Sequence, residues 1–118
     1  MRHNRKRVLL NRPGKVRNAL MRNLATSLVL HERIVTTPAK ARVLKPFIEK
    51  LITIAKKDDT LSAIRKLNAV FYSEEATRKM LEIIKPKMDS RISGFISLKK
   101  KLPRVSDAAP QVEISFVS

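Results

Sequence analysis

Eight cations stand in the first 31 residues, Arg2, Arg5, Lys6, Arg7, Arg12, Lys15, Arg17 and Arg22, and no carboxylate precedes Glu32. Side chains of one sign at that density repel one another unless a polyanion screens them. Arginine outnumbers lysine six to two in this stretch, which suits bidentate phosphate contacts and stacking on bases. Each phosphate so neutralised releases counterions and adds affinity without reading sequence. A second cluster, Lys99-Lys100-Lys101 with Arg104, lies far along the chain. Lys56, Lys57, Lys66 and Lys79 read instead as solvated faces, with acids at helical spacing nearby, such as Glu75 to Lys79.

Other chemistry is poorly supplied. His3 and His31 are the two histidines, and neither has partners at metal-ligand spacing. The absence of Cys excludes disulfide scaffolds, zinc ribbons and thiol catalysis. With Gly14 and Gly94 as its only glycines the chain cannot build a Gly-rich phosphate loop. Asp58-Asp59 and Glu74-Glu75 stand where helix caps are expected, and His31 stands at a helix end, so these groups read as capping or packing residues. The expectation is a protein that is not an enzyme and has no metal, cofactor or small-molecule substrate.

The 118 residues suffice for one domain, and 43% hydrophobic content is too high for a purely disordered polycation. Phe47, Phe71, Tyr72, Phe95 and Phe116 are the only aromatics, too few for a single-strand binder built on stacking rings. No apolar run approaches the ~20 residues of a membrane span. The net charge of +16 is unevenly spread, with half of the excess in residues 1–31. Such an arm shares its Arg-rich, acid-free character with an organellar transit peptide, but those are Ser-rich and Ser27 stands alone here. The arm is therefore expected to belong to the mature protein.

The elements that must carry these charges follow from hydrophobic period and punctuation. Residues 1–13 read as an extended basic arm ending at Pro13-Gly14. A helix is predicted from Lys15 to His31, with Val16, Leu20, Leu24 and Leu28 as its apolar stripe and Arg17 and Arg22 away from it. Arg33 to Thr37 is a β-branched run suited to an edge strand. Thr37-Pro38 starts a second helix whose stripe runs from Val43 to Ala55, with a kink expected at Pro46. Asp58-Asp59-Thr60 starts a third, carrying Leu61, Ile64, Leu67 and Phe71. Ser73-Glu74-Glu75 starts a fourth, with Ala76, Met80, Leu81, Ile83 and Ile84 inward and Pro86 as its stop. Beyond Ser90 the period becomes two, predicting strands at 95–98 and 111–117, with the lysine cluster in or beside their connection. The fold class is α+β in a single domain over 1–118: an arm (1–13), a mainly helical part (14–90) and a small antiparallel sheet or hairpin (91–118).

Cations spread over an arm, two helices and a late loop suit the irregular surface of a large folded RNA. A DNA-binding regulator or nucleoid-associated protein is the alternative, although a helix-turn-helix reader usually concentrates its charge on two adjacent helices. A protein adaptor binding an acidic partner is a third reading.

Met1-Arg2-His3, Leu10-Asn11-Arg12, Arg22-Asn23-Leu24-Ala25-Thr26-Ser27-Leu28 and Ile34-x-Thr36-Thr37-x-x-Lys40-Ala41-Arg42 follow in order. Glu49-x-Leu51-Ile52-Thr53-x-Ala55-Lys56, Ser90-Arg91, Gly94-Phe95 and Arg104-x-x-Asp107-x-Ala109-Pro110 continue the series. The chain thereby resembles the bacterial-type large-subunit ribosomal protein family numbered seventeen. Val16 stands where that family has His, Arg42 where it has Lys, Ile96-Ser97 where it has Thr-Arg, and Ser93, Leu102 and Ser106 at Gly positions. The resemblance implies a structural role in the cytoplasmic ribosome, on large-subunit rRNA near the peptide exit region, beside neighbouring large-subunit ribosomal proteins. The expected RNA-binding residues are Arg2, His3, Asn4, Arg5, Lys6, Arg7, Arg12, Lys15, Arg17, Arg22 and Asn23. Thr36, Thr37, Lys40 and Arg42 join them at the strand–helix junction, and Arg91, Lys99, Lys100, Lys101 and Arg104 in the C-terminal part.

Overall fold

A computed structural model describes residues 14–57 and 59–117. The predicted arm, and with it Arg2, His3, Asn4, Arg5, Lys6, Arg7 and Arg12, lies outside these residues. The elements run α1 (Gly14–His31), β1 (Arg33–Thr36), α2 (Pro38–Lys57), α3 (Thr60–Val70), α4 (Glu74–Lys79), a π-helical turn (Met80–Ile84), α5 (Lys85–Met88), β2 (Ile96–Lys101) and β3 (Gln111–Phe116). The last three helical pieces follow one another without a break. The described chain is thus four helical runs and a three-stranded antiparallel sheet, an α+β fold.

Helix α2 organises the core. Leu44, Ile48, Leu51, Ile52 and Ala55 recur at three- and four-residue spacing and are buried, so one face of the helix meets its neighbours continuously. It packs on α1, α3, the π turn, β2 and β3. Leu28 and Val29 of α1, Leu67 of α3, Met80, Ile84 and Met88 of the fourth run, and Phe95, Ile96 and Ile114 complete the same cluster. Burial of each large aliphatic contributes about 1.5–3 kcal/mol. The predicted N-terminal cap of α2 is present: the Lys40 amide donates to Thr37 Oγ1 at 3.4 Å, and Pro38 is the first helical residue. The helix runs on through Pro46, which sits on its exposed side.

The sheet has strand order β1-β3-β2. β1, contributed from between the first two helices, pairs with β3 as the edge strand its sequence suggested, Ile34 opposite Ile114 and Thr36 opposite Val112. The hairpin expected from residues 91–118 alone therefore gains a third strand from the N-terminal half. Val112 and Ile114 are buried, and β3 packs with α2. Glu113 is on the opposite face yet also buried, because Arg33 (3.5 Å) and Lys101 (3.2 Å) close over its carboxylate from the two flanking strands.

Several expectations need correction. The buried face of α1 is Met21, Ala25, Leu28 and Val29, one position away from the Val16–Leu20–Leu24 stripe, and Val16 is 51% exposed. Packing against both α2 and α4 centres the buried arc on Ala25, whose small side chain permits close approach, and turns Arg17 inward. In α3 the same preference buries Ala63 and leaves Leu61 exposed, and Ile83 in the fourth run is exposed too. Pro86 does not stop the fourth helix. The π turn immediately before it sends the Lys85 N–H to the Met80 carbonyl, and this widened turn accommodates a residue that cannot donate. Lys99, Lys100 and Lys101 lie within β2, paired to Glu113, Val112 and Gln111, not in the connecting loop.

Local chemistry closes the remaining joints. Asp59 caps α3 through the Ser62 amide (2.7 Å) and Ser73 caps α4 through the Glu75 amide (3.2 Å). Glu32 follows α1 in the left-handed conformation, φ 65°, with its amide on the Leu28 carbonyl at 2.7 Å. Lys79 is not paired along its own helix with Glu75. Its ammonium donates to the Leu30 carbonyl at 2.7 Å and stands 3.5 Å from Glu32, a cation where helix α1 ends. Lys87 pairs with the same carboxylate at 3.0 Å. The Lys87 hydrogen bond, reinforced by the charge of Lys79, holds the Glu32 carboxyl below its usual range. Lys56 likewise departs from a solvated role, lying 5.0 Å over the Phe95 ring and donating to the Arg91 carbonyl.

Candidate nucleic-acid interface

Turning Arg17 inward has a consequence for charge. An open groove of about 830 Å³ runs between α1 and α2. Arg17, Arg22, Arg42 and Lys50 line it together with Met21, Val43, Phe47 and Val70, and no carboxylate among the described residues does so. Arg17 is 7% exposed, with no acid or hydrogen-bond partner among the described residues. Its guanidinium nitrogens are not among the fully buried polar atoms, so the charge lies at the groove wall within reach of solvent or of an anion. The groove thus gathers like charges with no counter-charge among the described residues that line it.

Arg22 is held more firmly. Its Nε donates to the Val70 carbonyl at 2.8 Å, and its guanidinium lies 4.2 Å from the Tyr72 ring centroid. Thr26, one turn on, donates to the Arg22 carbonyl (2.8 Å) and accepts from the Tyr72 amide (3.2 Å). These bonds fix α1 to the α3–α4 connection and make Arg22 a rigid wall of the groove. Arg42 and Lys50 are exposed on its α2 side.

Of the residues expected to bind RNA, the structure brings Arg17, Arg22 and Arg42 together in this groove. Lys15 and Asn23 are exposed on α1 but do not line it. Thr36, Thr37 and Lys40 stand at the β1–α2 junction, where the Thr37 hydroxyl is already engaged in capping. Lys99 and Lys101 share the outer sheet face with Arg33, around Glu113, while Lys100 shares the face of Val112. Arg91 is exposed beyond the fourth helix. Arg104 belongs to the β2–β3 turn, paired with Asp107 at 3.4 Å. That turn is closed by Ala108 N to Arg104 O (2.7 Å) and Arg104 N to Ala109 O (2.9 Å), with Ala108 at φ 56°.

Sequence reasoning missed Asn18 and Lys50, which complete the groove lining. Lys50 lies eight residues after Arg42, close to two helical turns, and that spacing was the available signal. It also missed Arg33, hidden as one charge in a β-branched run. No group of three or more His, Asp or Glu among the described residues is arranged to hold a metal ion. No helix among the described residues is long and apolar enough to cross a membrane.

Comparison with known proteins gives these surfaces a context. The family described as Ribosomal protein L17 matches residues 20–117. A large ribosomal subunit protein bL17 of Methylacidiphilum infernorum (isolate V4) is 42% identical over 116 residues, 98% of this chain and 88% of the relative. Those of Aliarcobacter butzleri (strain RM4018) and Neorickettsia sennetsu (strain ATCC VR-367 / Miyayama) are 39% and 41% identical, each over 99% of this chain and 100% of the relative. With similarity of this extent at both the family and the individual level, the chain belongs to the ribosomal protein L17 family.

Proposed function

We propose that this chain is a structural constituent of the large ribosomal subunit in the cytoplasm, holding large-subunit rRNA through phosphate contacts near the peptide exit region, beside neighbouring large-subunit ribosomal proteins. The observation that carries the RNA contact is the α1–α2 groove, with four cations and, among the described residues, no carboxylate in its lining and no partner for Arg17. The names of its relatives support the subunit, and the family resemblance supports the exit region. The outer sheet face with Arg33, Lys99 and Lys101, and the turn with Arg104, supply further phosphate contacts. The acid-free arm, with Arg2, Arg5, Lys6, Arg7 and Arg12, adds contacts that release counterions without reading sequence. None of this calls for a reaction, since the work is positional.

Sucrose-gradient sedimentation of cell extracts, with the chain followed by mass spectrometry, tests the reading. The chain is expected to travel with large subunits through washes at moderate salt and to leave them after ribonuclease. Recovery with DNA, or at the top of the gradient, contradicts it.

A further inference from the structure

Resting on the RNA reading above, we propose that the α1–α2 groove takes one unstacked nucleotide of the RNA, its base on the apolar floor and its phosphate on the cationic rim. A continuous duplex backbone would be met by cations on an open surface. Here the cations surround an apolar floor of Met21, Phe47 and Val70, which a phosphate alone leaves uncovered. The volume of about 830 Å³ lies within the range of small-ligand clefts, roughly 300–1,000 Å³. An occupant with a flat apolar body and an anionic end fits both parts, and an extruded RNA base with its phosphate has that make-up.

Three details suit a base. The Arg22 guanidinium is fixed by Val70 and Tyr72, so it forms a wall that needs no reordering when a base arrives. Pro46, in the lining, has no N–H to give to the Arg42 carbonyl, which leaves an acceptor without its helical donor beside the groove. Arg17, with no ion-pair or hydrogen-bond partner among the described residues, supplies the charge for the phosphate.

The test uses the full-length chain and two RNA hairpins of equal stem length, one with a single bulged 2-aminopurine and one fully paired. The bulged hairpin is expected to bind about tenfold tighter or better, with a change in 2-aminopurine fluorescence. Val43→Phe, which fills the groove without altering charge, is expected to abolish that preference, bringing the affinity for the bulged hairpin down to that for the paired one. Lys50→Glu, at an exposed position, is the second variant and is expected to weaken the bulged hairpin more than the paired one. Equal binding of both hairpins by the unaltered chain overturns the nucleotide site and leaves the phosphate reading standing. Retained preference in both variants overturns its location. Binding of neither hairpin overturns the RNA reading itself, and the nucleotide with it.

Discussion

Helices α1 and α2 begin with cations, whereas α3 and α4 begin with carboxylates. Lys15 and Arg17 occupy the first turn of α1, and Lys40 the first turn of α2, with no acid in either. Asp59 caps α3, and Glu74 and Glu75 open α4. A helix N-terminus carries about half a positive charge, so the first pair works against its own dipole and the second pair with it. The difference separates two surfaces. Between α3 and the fourth run, Glu74 and Glu82 balance Arg78 and Lys85. Between α1 and α2 every charge in the groove is positive. One surface carries charges of both signs, and the other carries only positive ones among the described residues.

If the α1–α2 half stores unmet charge, removing it should stabilise the free protein. Arg17→Met is expected to raise unfolding stability by about 1 kcal/mol, read by urea titration, while weakening binding to large-subunit rRNA. A loss of stability would mean that the guanidinium already has a structural role. On the mixed-charge half the sign reverses: Asp59→Ala is expected to cost about 1 kcal/mol and leave RNA affinity unchanged. Lys15→Glu is a smaller version of the first change, expected to stabilise the free chain by about 0.3–1 kcal/mol at low salt and to lose that gain at high salt.

The smallest effect belongs to Glu32, where the two halves meet. Its carboxyl is lowered by Lys87 and Lys79, so the stability it contributes is present above the ordinary carboxylate range and is lost as pH falls through its lowered value. The difference in melting temperature between the parent chain and Glu32→Gln should accordingly be widest near neutrality and shrink below about pH 4. A gap unchanged down to pH 3 would show that the ion pairs contribute nothing.

Much of the fold was legible because it rests on local rules. Thr37-Pro38, Asp59 and Ser73 announce helix starts through short hydroxyl and carboxylate caps, and strict alternation from Gln111 marks β3. What was not legible depends on partners distant in sequence. The buried arc of α1 is chosen by α2 and α4, so the leucine spacing indicated a helix and misplaced its inner face by one residue. The same misplacement put Arg17, already expected to bind RNA, on an outer face and not in the groove where it stands with Arg22 and Arg42. Lys79 and Lys56 likewise find partners at Glu32 and at Phe95 and Arg91, far beyond helical spacing. Pro86 is tolerated through a π turn that nothing in the local sequence signals.

The central claim, that the α1–α2 groove and not overall charge holds the RNA, is tested most directly by two charge-matched triple variants. Arg17→Gln with Arg42→Gln and Lys50→Gln empties the groove of three cations. Arg65→Gln with Arg78→Gln and Lys85→Gln removes three from the α3–α4 half. Affinity for large-subunit rRNA, measured across salt concentrations, should fall at least about tenfold more for the groove triple, with the larger loss of salt dependence. Equal losses in the two triples would contradict the account.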